Sequence, residues 1–325
     1  MYKVVITDHS FPSLDPERAA LDGLAEVVDC SPLRTEDDVI RAAPDADALI
    51  IGFVPITARV MDALPRLRCV VRYGVGYETI DVPAATERGI WVANVPDYCI
   101  PEVADHAMAM LLALARKVLP LDASIRRGEW ATLKVAKPVH RIAGRTLGLI
   151  GMGRIGSAVA RRALGFGMRV IVYDKYLSPE RAQAIGAALV DLDSLLREAD
   201  FISIHTPLTP ETHHLINAEA IGKMKAGAHL INVSRGAVVD TLALADALQM
   251  GKLAGAALDV FEQEPLPADH PIRHAPNTIL NPHAAWYSEE ALTQLQGNAA
   301  EEVARVLRGE PMKNPLNKPR KSSRP

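Results

Sequence analysis

Three glycines, Gly151, Gly153 and Gly156, follow an apolar run at Thr146–Ile150 and open a helical pattern that runs to about Leu164. The spacing GxGxxG is a weak signal alone, but a strand before it and a helix after it make it a strong constraint. Gly151 allows a tight turn, Gly153 lets the backbone approach a pyrophosphate, and Gly156 lets helix and strand pack closely. The helix start, with Arg154 and Ile155 in its first turn, offers free N–H groups and the positive end of a dipole to phosphate oxygens. Asp174 closes the next strand after the Gly156 helix. A carboxylate there can accept hydrogen bonds from both hydroxyls of an adenosine ribose and repels a 2′-phosphate, which favours NAD over NADP. Lys175 beside it softens that repulsion. A glycine-rich turn with a strand-end Asp acting as a helix cap is the plainer alternative.

The motif sits in a longer rhythm. Lys3–Thr7, Ala48–Gly52, Arg68–Arg72 and Ile90–Ala93 read as buried strands, with helical stretches near 15–24, 35–43, 56–63 and 83–88 between them. A second series begins at Thr146, with strands expected at Thr146–Ile150, Arg169–Tyr173, Phe201–His205, His229–Val233, Gly255–Leu258 and Thr278–Leu280. Strands alternating with helices predict an α/β fold of parallel sheets covered on both faces. Two such series in 325 residues suggest two domains. The Glu102–Val118 stretch between them is apolar on more than one face and so expects burial on several sides. Leu121–Pro138, with Trp130, reads as an arm. Glu289–Leu307 reads as an amphipathic helix, and the Pro-, Lys- and Arg-rich tail beyond Gly309 as a solvated terminus.

A formal net charge of −3 gives no reason to expect nucleic acid or an anionic membrane as partner. The longest apolar run, Ala107–Ala115, is too short to span a bilayer. Met1–Ser10 reads as a strand that begins at once, with no leader pattern. Cys30, Cys69 and Cys99 lack metal-ligand spacing and suggest free thiols in a reducing, cytoplasmic setting. No metal site is expected.

Three residues just past strands of the second series could do chemistry. Arg235, in Asn232-Val-Ser-Arg-Gly236, offers a planar fork that matches a carboxylate. Glu264 lies shortly past the strand end at Leu258, and His283 just past the strand after that. A carboxylate bonded to an imidazole fixes its tautomer and stabilises its charged form, which suits a group that gives a proton to a carbonyl oxygen and takes it back. In open parallel sheets, ligands sit outside the carboxyl ends of strands, where all three residues fall. Each alone has a bland reading, a surface ion pair or a structural histidine. His106, His213 and His214 lack metal-type partners and read as surface or interface histidines.

Together these segments resemble the D-isomer-specific 2-hydroxyacid dehydrogenase family. The resemblance runs over about residues 1–315. It is carried by Tyr73-Gly-Val-Gly76 with Asp81, Gly151–Gly156, His205-Thr-Pro-Leu208, Asn232-Val-Ser-Arg-Gly236, Ala257-Leu-Asp-Val-Phe-Glu-Gln-Glu-Pro265 and Asn281-Pro-His283. It implies two Rossmann-like or flavodoxin-like domains with a cleft: a discontinuous substrate domain, 1–98 plus 287–325, and an NAD-binding domain, 99–286. It implies that Arg235 binds the substrate carboxylate, that His283 is the acid/base and Glu264 its partner, and that amides near Val75 and Gly76 hold the carboxylate. Asp259 would hold the nicotinamide carboxamide, with Val103, Thr206, Pro207, Val233 and His283 near the cofactor. Trp286 would wall the substrate pocket. The 100–140 helix and arm would form a homodimer. The short stretch after the last helix leads us to expect no appended regulatory domain, and the acid at 264 separates the chain from formate dehydrogenases. Residues 283–289, 173–178 and 213–217 are similar to the branch containing the C-terminal-binding protein corepressors. Two functions therefore stand: NAD-dependent reduction of a 2-keto acid to a D-2-hydroxy acid, or an NADH-sensing, corepressor-like scaffold.

Overall fold

The computed structural model describes residues 1–319 and divides the chain into two compact units, Met1–Cys99 with the segment from Ser288 onward, and Ile100–Tyr287. The first unit contains β1 (Tyr2–Ile6), β2 (Ala25–Asp29), β3 (Ala48–Ile51), β4 (Cys69–Arg72) and β5 (Trp91–Ala93), paired throughout in parallel in the order β2-β1-β3-β4-β5. Helices α1 (Asp15–Ala20), α2 (Glu36–Ala42), α3 (Ala58–Ala63) and α4 (Val82–Glu87) connect the strands. Thr35 caps α2 in a reciprocal capping box with Asp38, satisfying N–H groups that the first turn leaves free. The C-terminal helix, Glu289–Leu307, returns to this unit and packs on α1 and β4. There Gln296 Nε2 donates to Ser13 O (2.8 Å) and to the fully buried Glu17, which also accepts from the Tyr73 hydroxyl at 2.6 Å.

The tail beyond Gly309 does not behave as a solvated terminus through residue 319. Leu316 N donates to Val92 O, and Asn317 bonds Val92 N, Ile90 O and the Thr86 hydroxyl. Glu302, only 2 % exposed, accepts from Lys313 N and Asn314 N. The backbone N–H groups of Lys313, Asn314 and Leu316 therefore have protein partners, which the composition did not signal. The remaining basic residues of the tail, from 320, lie outside the described residues.

The second unit begins with α5 (Ile100–Arg116), α6 (Val118–Arg126) and α7 (Thr132–Ala136). The expected arm is thus mostly helical. A parallel sheet follows, made of β6 (Thr146–Ile150), β7 (Arg169–Tyr173), β8 (Ala187–Leu189), β9 (Phe201–Ile204), β10 (Ala228–Asn232), β11 (Leu253–Leu258) and β12 (Thr278–Leu280) in the order β12-β11-β10-β9-β6-β7-β8. Its helices are α8 (Arg154–Gly165), α9 (Pro179–Ile185), α10 (Leu192–Glu198), α11 (Ala218–Lys223) and α12 (Thr241–Gln249). One face of the sheet buries Leu147, Leu149, Val170 and Val172 with α5 and α8; the other buries Ile171, Ile202, Ile204 and Leu230 with α10, α11 and α12. A sheet covered on both faces needs strands apolar at every position, which is why these runs are continuous rather than alternating. Gly148 lets α10 settle, since a Cβ there would lie 2.8 Å from the Leu195 side chain and 2.9 Å from Ala199 Cβ. The chain leaves β6 toward β7 on one side and returns to β9 on the other. The crevice at the carboxyl ends of β6 and β9 is the topological switch point where such sheets bind ligands.

Candidate active site

The fingerprint loop lies at that switch point. Gly151 has φ +90° and its N–H donates to Tyr173 O; a Cβ on it would press 2.9 Å from the backbone of His205 and Thr206. A Cβ on Gly156 would lie 2.4 Å from Gly151 O, so only glycine lets α8 start this close to the loop. Gly153 is different: a Cβ on it would meet nothing within 4 Å, and the residue is exposed. Open space therefore lies before the N-terminus of the 12-residue helix α8, with Arg154 and Ile155 in its first turn. These residues fit a pyrophosphate held by backbone N–H groups. Asp174 Oδ2 accepts from Met152 N at 2.8 Å and Oδ1 from Tyr176 N at 2.9 Å. Each oxygen keeps a lone pair for a ribose hydroxyl. Beyond β9, His205 N donates to Ile150 O, while Thr206 is half-buried and Pro207 exposed. Val233 is half-buried after β10, and Val103 is buried in α5.

Arg235, Glu264 and His283 follow β10, β11 and β12, three adjacent strands. His283 Nδ1 and Glu264 Oε2 are 2.7 Å apart. With Nδ1–H donating, Nε2 is the nitrogen left to exchange a proton. Burial alone would push the Glu264 carboxyl up. The His283 bond, the Phe261 N–H at 3.0 Å and the charges of His283 and Arg235 outweigh it and hold the carboxyl below its usual range. Glu264 is therefore ionised at neutral pH. Arg235 is half-buried, and its Nη1 donates to Ser234 O at 2.7 Å. Its loop is tied by Asn232, whose Nδ2 donates to Arg235 O and whose Oδ1 accepts from Ser234. Gly236 follows because a Cβ there would sit 1.8 Å from the Phe261 carbonyl carbon. The Arg235 loop thus rests directly on the loop that carries Glu264.

His283 adopts φ +54°, a conformation unusual outside glycine. Asp259 holds it there. His283 N donates to Asp259 O at 2.8 Å, and the Asp259 carboxylate, 1 % exposed, accepts from Ala284 N (2.8 Å) and Ala285 N (2.9 Å). Both oxygens of this residue, expected to face the nicotinamide, are engaged by the His283 loop. His106 Nε2 on α5 lies 3.8 Å from Asp259 Oδ1. The anchoring by Asp259 had no sequence signal beyond an Asp at a strand end. The Trp286 ring is half-buried and meets Tyr287 edge-on at 5.6 Å. Val75 and Gly76 belong to the first unit, in the loop after β4. That loop is fixed by Asn94 Nδ2 on Val75 O (2.5 Å) and by Val95 N on Gly74 O. Among the described residues no group of His, Cys, Asp or Glu could hold a metal.

A family model described as D-isomer specific 2-hydroxyacid dehydrogenase, NAD binding domain, matches residues 108–285. A glyoxylate reductase of Korarchaeum cryptofilum is 47% identical over 285 residues, covering 86% of this chain and 85% of its own length. A D-3-phosphoglycerate dehydrogenase of Methanocaldococcus jannaschii is 41% identical over 321 residues; the match covers 98% of this chain but 60% of that longer protein. The crystal structure of D-lactate dehydrogenase from Aquifex aeolicus, complexed with NAD and lactic acid, superposes with a TM-score of 0.86 at 32% identity, covering 98% of this chain and 100% of that one. With the fingerprint loop and the three strand-end residues in place, the chain belongs to the D-isomer specific 2-hydroxyacid dehydrogenase family.

Proposed function

We propose that Arg235, Glu264 and His283 carry the reaction of this NAD-dependent D-2-hydroxyacid dehydrogenase, the reversible reduction of a 2-keto acid to a D-2-hydroxy acid. The observation that supports these roles is the 2.7 Å His283–Glu264 pair beside the charge of Arg235. Bound NADH supplies a hydride to the keto carbon. Arg235 holds the substrate carboxylate with its guanidinium fork and polarises the keto oxygen. His283 gives the proton on Nε2 to that oxygen as negative charge builds on it, and takes it back in the reverse direction. Glu264 stays ionised, fixes the tautomer and stabilises the charged imidazole. Asp174 favours NAD by repelling a 2′-phosphate. The scaffold reading is not favoured, because the relatives named above are reductases and dehydrogenases.

The finer partners are also proposals. Val118, Leu119 and Ile125 are about half exposed on α6, and Trp130 (92 %) and Leu133 (79 %) are largely so beyond it. Such a run of apolar side chains marks an interaction surface, and a second copy of the chain is the occupant we propose. No helix among the described residues is long and apolar enough to cross a membrane. The three cysteines are free thiols, which suits the cytoplasm. The decisive experiment is His283→Ala, assayed with NADH on a panel of glyoxylate, hydroxypyruvate, 3-phosphohydroxypyruvate and phenylpyruvate. Turnover should fall by about 10³-fold or more while NADH binding stays near parental. Turnover that survives the substitution would end the acid/base assignment.

A further inference from the structure

A second imidazole–carboxylate pair lies two residues from Glu264. His214 Nε2 is 2.7 Å from Glu262 Oε2, and the other oxygen of Glu262 accepts from Thr241 N at 2.9 Å. Burial alone would raise the Glu262 carboxyl, but the Thr241 N–H and His214 outweigh it and keep the group ionised. The position of His214 is unusual. It belongs to the loop after β9, and its backbone N–H donates at 2.8 Å to Ala237 O, two residues past Arg235. Its side chain reaches the loop after β11, which carries Glu264. One residue therefore joins three loops: the one with Thr206 and Pro207, the one with Arg235 and the one with Glu264.

The surroundings allow His214 little freedom. Its φ is +49°, a conformation that a non-glycine residue keeps only where its neighbours over-determine it, and such residues gather at functional sites. Just beyond it, Ile216 N donates to Val238 O and Asp240 N to Ile216 O. The His213 ring stacks on His214 with centroids 4.1 Å apart. Next to Ala237, the bare face of Gly236 closes on the backbone of Phe261 and Glu262. His214 and Glu262 are each about one-third exposed (34 % and 33 %). A polar contact that open to water adds little to stability, so holding the loop is the better account of it.

We propose that His214 and Glu262 are positioning residues for the reaction, fixing Glu264 and through it the orientation of His283. The inference rests on the acid/base reading of His283. Neither residue touches the reacting atoms.

The test compares His214→Ala, Glu262→Ala, Glu262→Gln and His283→Ala on the same keto-acid panel. It measures kcat, the NADH dissociation constant, Tm and the solvent deuterium isotope effect on kcat. A misplacement of about 1 Å at a reacting group costs up to about 100-fold, so both alanine variants should lose about 10- to 100-fold in kcat. NADH binding should stay within about twofold of the parent, and the isotope effect should rise as proton transfer becomes limiting. Glu262→Gln keeps an acceptor for Thr241 N and can donate to a neutral His214, so it should recover most of the loss. Two results would overturn the proposal: kcat unchanged in both alanine variants, or kcat, NADH binding and Tm falling together without a larger isotope effect. If Glu262→Ala fails to fold, His214→Ala decides, because it leaves the Thr241 bond intact. An active His283→Ala would sink the acid/base reading and this role with it. An inactive His283→Ala beside unaffected pair variants would sink the positioning role alone.

Discussion

Gly236→Ala is the sharpest probe of how the site is assembled, because the perturbation is a single methyl group. A Cβ at 236 would lie 1.8 Å from the Phe261 carbonyl carbon, 2.0 Å from its oxygen and 2.4 Å from Glu262 N. All three are backbone atoms, so no side-chain rotation relieves the contact. Real Cβ contacts essentially never fall under 3.0 Å, so the Arg235 and Glu264 loops must move apart to admit the methyl group. The movement needed is large against the tolerance of a proton-transfer geometry. A shift of about 1 Å costs about 100-fold, or roughly 2.7 kcal/mol of transition-state stabilisation. Overpacking should also cost about 1–3 kcal/mol of stability. Gly222→Ala is the matched control. Its Cβ would meet nothing within 4 Å, and it lies in α11 of the same unit, where alanine should be neutral or stabilise by up to about 1 kcal/mol. Steady-state kinetics with NADH and the best keto acid of the panel, alongside thermal unfolding, should show the loss in kcat at 236 and none at 222. A folded Gly236→Ala enzyme within about threefold of the parent would refute the reasoning, because the loops would then not need their close spacing.

Asp259→Asn replaces a carboxylate that accepts from both Ala284 N and Ala285 N with a group that can accept on one side only. Urea titration should show a loss of about 1–3 kcal/mol, and kcat should fall because the His283 loop loses an anchor. Burial pushes His205 and His229 down to about 4. Both stay neutral in the folded chain, while in the unfolded chain each takes up a proton near pH 6.5. Stability should therefore fall as pH drops from about 6.5 toward 4 and be insensitive to these groups above that window. His205→Gln should flatten part of this slope in unfolding titrations between pH 7 and 5, and an unchanged slope would rule the residue out. If the proposed pairing of two copies holds, replacing both Trp130 and Leu133 with Ser should lower the apparent mass in sedimentation velocity while Tm changes by only a few degrees; an unaltered mass would refute self-association through this surface.

Most of the strands that were plain in the sequence are buried on both faces, and β6, β7 and β12 begin and end where their apolar runs led us to expect. The two that carry no such apolar run, β2 and β8, are edge strands. β2 carries exposed Glu26 and Asp29 and no fully buried position, while β8 has only three residues, two of them alanine. Their identity comes from pairing with β1 and β7, which a local pattern does not report. The site divides in a similar way. Arg235, Glu264 and His283 were legible because topology places strand-end residues together. His214 and Glu262 are 48 positions apart, and His214 reads as a surface or interface histidine because only the fold brings its loop to that carboxylate. The left-handed backbone at His283 also had no local signal. Its glycine-like conformation is imposed by Asp259, just past the neighbouring strand β11.

The return of the last helix and tail to the first unit also bears on the order in which a ribosome delivers the chain. β1 through β5 emerge first, yet Glu17 waits for Gln296 and β5 waits for Leu316 and Asn317. Until then α2, α3 and α4 can cover one side of the sheet, but the side of β3 and β4 on which the last helix packs lacks that cover. The unit bounded by Ile100 and Tyr287 is continuous in the chain and can close on itself as soon as it is made. The portion synthesised first is thus the one completed last. A chain truncated before Ser288 should leave a finished nucleotide-binding body trailing an unfinished, aggregation-prone start.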